Sequence, residues 1–126
     1  MFIGLNPSTA DENINDQTIR RCIGYAQRWG YAGLHMVNLF AFRATDPNEM
    51  KKAPDPIGPA NNRILLETAV RAKIIIAAWG TYGTYLDRDK EIQKMIPKLH
   101  YLTLTKDGFP GHPCRLSKKL IPLPWR

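Results

Sequence analysis

The chain has 126 residues, enough for one hydrophobic core and too few for two ordinary domains. Its 44% hydrophobic content is that of a globular protein, and no apolar run approaches the roughly 18 residues that span a bilayer. The amino terminus also lacks the charged, apolar and small-residue succession of a secretory signal, so a cytoplasmic protein without membrane contact is expected.

Eighteen Lys and Arg against 11 Asp and Glu give a net charge of +7. The isoelectric point is near 9.7, and a surplus of this size favours polyanions through phosphate neutralisation and counterion release. Cys22 and Cys114 are far apart in sequence, and His35, His100 and His112 are scattered. Neither a disulfide scaffold nor a metal-ligand spacing results, so neither a metal nor a cofactor is expected. A monomer is expected.

In chain order, Phe2 to Leu5 reads as a buried strand that Asn6-Pro7 ends, because proline lacks an amide hydrogen and bars the helical region to its predecessor. Asn15 or Asp16 then caps a helix running to about Trp29, with Ile19, Cys22, Ile23 and Ala26 on one apolar face. Leu34 to Leu39 is a second strand. Residues 43–59, with four prolines, read as irregular. A second helix runs from Pro59 to Arg71, and Lys73 to Ala78 is apolar on both faces, as in a central parallel strand. A helix over about 86–96, a strand at Tyr101 to Leu104, a Gly/Pro loop over 106–113 and a short helix near Ser117 to Leu120 complete the chain. The alternation predicts a single α/β domain over 1–126: a four-stranded parallel sheet between helical layers, a three-layer α/β/α sandwich. The first strand begins at residue 1, which fits either a natural short form or a start downstream of the true one.

Ligands of open parallel sheets bind beyond the carboxyl ends of the strands. By position this nominates Asn6, Asn38, Phe40 and His112. The residues there also carry a resemblance. Gly4-Leu5-Asn6-Pro7-Ser8 resembles the first motif of the uracil-DNA glycosylase superfamily, in which uracil-specific members carry Asp where this chain has Asn6. His112-Pro113-Cys114-Arg115-Leu116-Ser117 resembles its second motif, His-Pro-Ser-Pro-Leu-Ser, and Asn38 matches the position that reads the base edge. Residues 2–11, 16–21, 37–47 and 106–113 are also similar to a bacterial and phage family of unknown function, DUF1643, which implies no activity.

The glycosylase resemblance implies hydrolysis of the N-glycosidic bond of a modified or mismatched base, with DNA as the expected partner. Asn6 would hold the water, His112 would donate to the departing base, Asn38 would bond its edge and Phe40 would stack on it. Leu116 falls at the wedge position that fills the gap in the stack. Pro7, Ser8, Thr9, Arg43, Lys106, Pro113 and Arg115 would line the nucleic-acid surface. Asn6 is no general base, so Asp11 or Asp16 is the candidate carboxylate. Each assignment has an ordinary alternative: a strand exit at Asn6, a helix cap at Asp16, a turn at Asn38, core packing at Phe40 and Leu116. Two rival functions keep the fold, namely an enzyme for free nucleosides or nucleotides and an inactive nucleic-acid-binding module. Two distant cysteines cannot supply the four thiolates of the iron–sulfur cluster found in some relatives.

Overall fold

The computed structural model describes residues 1–7, 12–114 and 116–125, and for residues 12–16 the backbone alone. Five strands form one sheet in the order β2-β1-β3-β4-β5. They are β1 (Phe2–Gly4), β2 (Met36–Asn38), β3 (Ile75–Ala77), β4 (Leu99–Tyr101) and β5 (Leu123–Pro124). β1 runs parallel to β2 and β3, and β3 parallel to β4. β5 pairs antiparallel with β4, so the sheet is mixed rather than the purely parallel four-stranded sheet expected. The proline-rich tail hides this strand in the sequence. Proline is tolerated at a sheet edge because no neighbour needs its missing donor. Trp125 anchors the tail, donating its backbone N–H to Leu99 O at 2.9 Å and packing its ring 5.7 Å from that of Trp79.

Alternation along the strands divides the core, as the two-residue period of a strand requires. Ile3, Ile75 and Ala77 join Leu39, Met50, Leu65 and Ile92 in one cluster. Phe2, Ile76 and Ala78 join Cys22 and Tyr25 in the other. The second cluster lies under α1 (Glu12–Arg28). The first lies under α2 (Pro47–Lys52), α3 (Asn61–Arg71) and α4 (Arg88–Met95).

α1 starts at Glu12, earlier than expected, so Asp16 is inside the helix and does not cap it. Its buried face is Cys22, Tyr25 and Ala26, whereas Ile19 and Ile23 are 40% and 39% exposed. Aromatic stacking rotates the helix this way: Tyr25 and Trp29 lie 5.3 Å apart, and Phe2 sits 6.1 Å from Trp29. Burial, with the charge of Cys114 adding to it, pushes the Cys22 thiol up to about 12. It serves as apolar filling.

α2 falls in the stretch expected to be irregular. Its start is nonetheless encoded, since Asp46 accepts from Asn48 N at 2.9 Å and Pro47 occupies the first turn. The helix expected over 86–96 is two pieces. A 3-10 segment (Thr81–Asp87) ends in left-handed Leu86 and Asp87, and α4 begins only at Arg88. β4 begins two residues before the expected 101–104 strand and ends at Tyr101, and Leu104 instead bridges Pro110 within the following loop. Lys118 and Lys119 form a turn, not a helix. Among the described residues no helix is long and apolar enough to cross a membrane.

Candidate functional site

A pocket of about 440 Å³ opens at the carboxyl ends of β1 and β2 and extends to Ala78 after β3, on the side of β1 where the strand order reverses. Its walls include Asn6, Pro7, Asn38, Arg43, His112 and Cys114. Stretches of chain far apart in sequence thus converge on one cavity.

Asn6 fixes the β1 side. Its Nδ2 donates to Ala44 O at 2.9 Å and to Phe42 O and Pro7 O at 3.2 Å each. Ala44 N returns a bond to Pro7 O at 2.9 Å. The amide nitrogen is therefore committed to tying the β1 exit to the loop that carries Arg43. What Asn6 offers a ligand is its carbonyl oxygen, an acceptor. A carboxylate at this position would face three carbonyls with no hydrogen to give them.

Asn38, the last residue of β2, lies across Gly4. A Cβ on Gly4 would sit 2.8 Å from Asn38 Oδ1, so the glycine leaves room for the amide. The backbone here is braced from the opposite side of the sheet. Asn61 Nδ2 donates to Asn38 O at 3.0 Å and Leu39 O at 2.8 Å. Arg88 Nε reaches the same Leu39 O at 2.8 Å. Arg88 is fully buried, and its Nη1 meets Glu91 at 2.6 Å. Neither Asn61 nor Arg88 stands out in the sequence. Arg88 reads there as an ordinary charged residue at the start of a helix.

His112 arrives from the third side. The loop after β4 folds back through Thr105 N to Phe109 O at 2.7 Å and Gly111 N to Thr103 O at 2.8 Å. A Cβ on Gly111 would lie 2.5 Å from Thr103 Oγ1, so glycine permits the close return that presents His112. Beyond it the chain is stapled along α1. Thr18 Oγ1 meets Cys114 Sγ at 3.2 Å, Arg21 donates to Leu116 O at 2.9 Å, Tyr25 to Ser117 O at 2.6 Å and Trp29 to Leu120 O at 3.0 Å. The residue spacings of three and four place these donors on one stripe of the helix.

Cys114 N donates to His112 Nδ1 at 3.2 Å. With Nδ1 an acceptor, the neutral ring carries its proton on Nε2. His112 is exposed at the pocket rim, yet the protein around it displaces enough water to lower its pKa below the ordinary histidine value. The ring is thereby held as a neutral hydrogen-bond donor.

Of the residues nominated from sequence, Asn6, Asn38, Arg43, Pro7, Pro113 and His112 meet at the pocket. Phe40 does not: it is completely buried, its ring 5.9 Å from Tyr85, and so is core rather than a stacking platform. Leu116 packs against the cluster of Phe2, Cys22 and Tyr25 rather than projecting as a wedge. Lys106 stands exposed in the turn after β4 and does not line the pocket. Ser8, Thr9, Asp11 and Arg115 lie outside the described residues, as does the side chain of Asp16. Thr18 and Ile19 line the pocket unforeseen. The exposure of Ile19 on a face expected to be buried is the trace they leave. Trp79 and Tyr82 leave the cavity open, since Trp79 is packed on Gly83 and Tyr82 lies under Lys51, 5.0 Å from its ring.

The chain belongs to the family described as "Protein of unknown function (DUF1643)", which matches residues 1–114. No curated protein and no solved structure matches it.

Proposed function

For a member of a family whose description assigns no activity, we propose hydrolysis of the N-glycosidic bond of a modified or mismatched base in nucleic acid. The observation that carries this reading is the orientation of His112: a neutral ring at the pocket rim with Nδ1 bound to Cys114 N and the proton on Nε2. A donor held there stabilises charge developing on a base carbonyl without giving up its proton beforehand. The C1′–N bond breaks and its electron pair leaves with the base. Water forms the new C1′–O bond, and the proton it sheds ends on the departed base.

Asn38 supplies hydrogen bonds to the base edge, and the Asn6 carbonyl accepts from the attacking water. With no carboxylate taken as base, the chemistry suits a slow enzyme or an activated leaving group. The two core clusters on opposite sheet faces support a three-layer fold of the uracil-DNA glycosylase type. The protein acts in this reading as a cytoplasmic monomer.

The test is a single-turnover assay with excess protein on oligonucleotides carrying uracil, mismatches, or oxidised or alkylated bases, followed by alkali to cut abasic sites. Cleavage of one class that disappears in His112→Gln and Asn38→Ala is expected. Absence of cleavage across the panel refutes the reading.

A further inference from the structure

Next to the pocket, and sharing Cys114 with it, a groove of about 750 Å³ follows the outer face of α1. Arg20, Arg21, Gly24, Arg28 and Lys118 line it, and among the described residues no acidic side chain does. Arg20 and Arg28 each lie four residues from Gly24 and Arg21 lies three from it, so the three helical cations share one face of the helix around that glycine.

Two of these guanidiniums are held in place. Arg21 donates to Leu116 O at 2.9 Å, and Arg28 lies 5.2 Å from the centre of the Tyr25 ring. Gly24 is a mid-helix glycine, which weakens a helix. Packing does not require it, since a Cβ there would meet only the Arg28 guanidinium, at 3.8 and 3.9 Å. Its effect is to deepen the groove where the cations converge.

We propose that this groove is the track for the phosphodiester backbone of single-stranded nucleic acid, which crosses Cys114 and delivers one nucleotide to the pocket. The proposal rests on the nucleic-acid reading of that pocket. One cation-lined channel on one helix face matches one backbone rather than two. Leu116 is packed into the core and its carbonyl is tied to Arg21, so this loop position offers no wedge to prise a base from a duplex. A base in a single strand needs no such wedge.

The test is fluorescence anisotropy with labelled single strands and the matching duplex over a range of salt concentrations. Neutralising about three phosphates gives a log–log salt slope of about −2 for a single strand. Arg20→Ala combined with Arg28→Ala should flatten that slope by about 1.4 and weaken binding roughly tenfold or more. Gly24→Glu fills the groove and adds an opposing charge at a position where a side chain favours the helix, and an unchanged melting curve separates its loss of binding from unfolding. Arg28→Lys should keep the slope.

Unchanged affinity and slope in the double variant and in Gly24→Glu overturn the track, and base release that persists in them leaves the pocket chemistry standing. Tighter binding of the duplex overturns the single-strand assignment. Groove-dependent binding without base release from any oligonucleotide supports the track and removes the glycosylase reading instead.

Discussion

Replacing Asn6 by Asp reverses the polarity of the joint between β1 and the loop that carries Arg43. The Asn6 amide shares two hydrogens among the carbonyls of Pro7, Phe42 and Ala44 at 2.9–3.2 Å. At about 1 kcal/mol net for each hydrogen, losing them costs about 2 kcal/mol, which is the expectation for Asn6→Ala. A carboxylate adds repulsion from the carbonyls it faces, bringing Asn6→Asp to roughly 3 kcal/mol at neutral pH. For a chain of this size that lowers Tm by roughly 10 °C.

The pH dependence has a definite sign. The carbonyls raise the folded-state pKa of the new carboxyl above its unfolded value of about 3.9. The folded state then holds its proton longer, and the penalty develops as pH rises through the folded pKa. Urea unfolding at neutral pH and at about pH 4 measures both features. The Asp variant should fall below the Ala variant at neutral pH and recover in acid. An Asp variant as stable as the wild type at neutral pH would refute this account of why asparagine stands here. Equally damaging would be a gain of uracil-releasing activity, because it would show that the pocket accepts the carboxylate of the uracil-specific enzymes.

His112 predicts a pH profile. Its pKa lies below the ordinary histidine value, so base release should be flat through neutral pH and fall only in acid, where Nδ1 gains a proton and the Cys114 bond is lost. Its contribution to stability has the same sign: it is lost as pH drops below about 6.5, because the unfolded chain takes up the proton first. A rate that increases on acidification would contradict the neutral donor. Gly4→Ala should displace the Asn38 amide, whose oxygen would lie 2.8 Å from the new Cβ, weakening base recognition more than folding. Parallel melting curves and single-turnover rates separate the two effects. Gly83→Ala should behave oppositely: its Cβ would overlap the Trp79 ring, costing about 1–3 kcal/mol by overpacking while the pocket, which neither residue lines, keeps its chemistry in whatever protein folds. Urea titration checks the loss.

The sequence made β1, β2 and β3 legible because each is a short apolar run with Gly, Pro or Asn at its end or within three residues of it. The pocket was legible for the same reason, as Asn6, Asn38 and His112 all occupy strand exits or the loop that returns to them. What it hid were features set by tertiary geometry. The rotation of α1 follows from stacking with Phe2, so the apolar repeat of Ile19 and Ile23 pointed to the wrong face. The apolar run through Phe40 signalled a strand end without saying which side of the sheet its ring would enter. Arg88 and Asn61 act on carbonyls distant in sequence, and no local pattern encodes such a partnership. β5 is a strand only because Leu99 to Tyr101 provides an edge to pair with.

The proposed chemistry of the pocket turns on the protonation state of one ring. A long-range proton–nitrogen correlation spectrum of the nitrogen-15-labelled protein, with His112 assigned by its loss in His112→Gln, reads that state directly. At neutral pH the expected pattern is a neutral imidazole protonated on Nε2, changing only in acid below the ordinary histidine pKa. A ring protonated on Nδ1, or on both nitrogens at neutral pH, would contradict the bond from Cys114 and with it the donor on which base release depends.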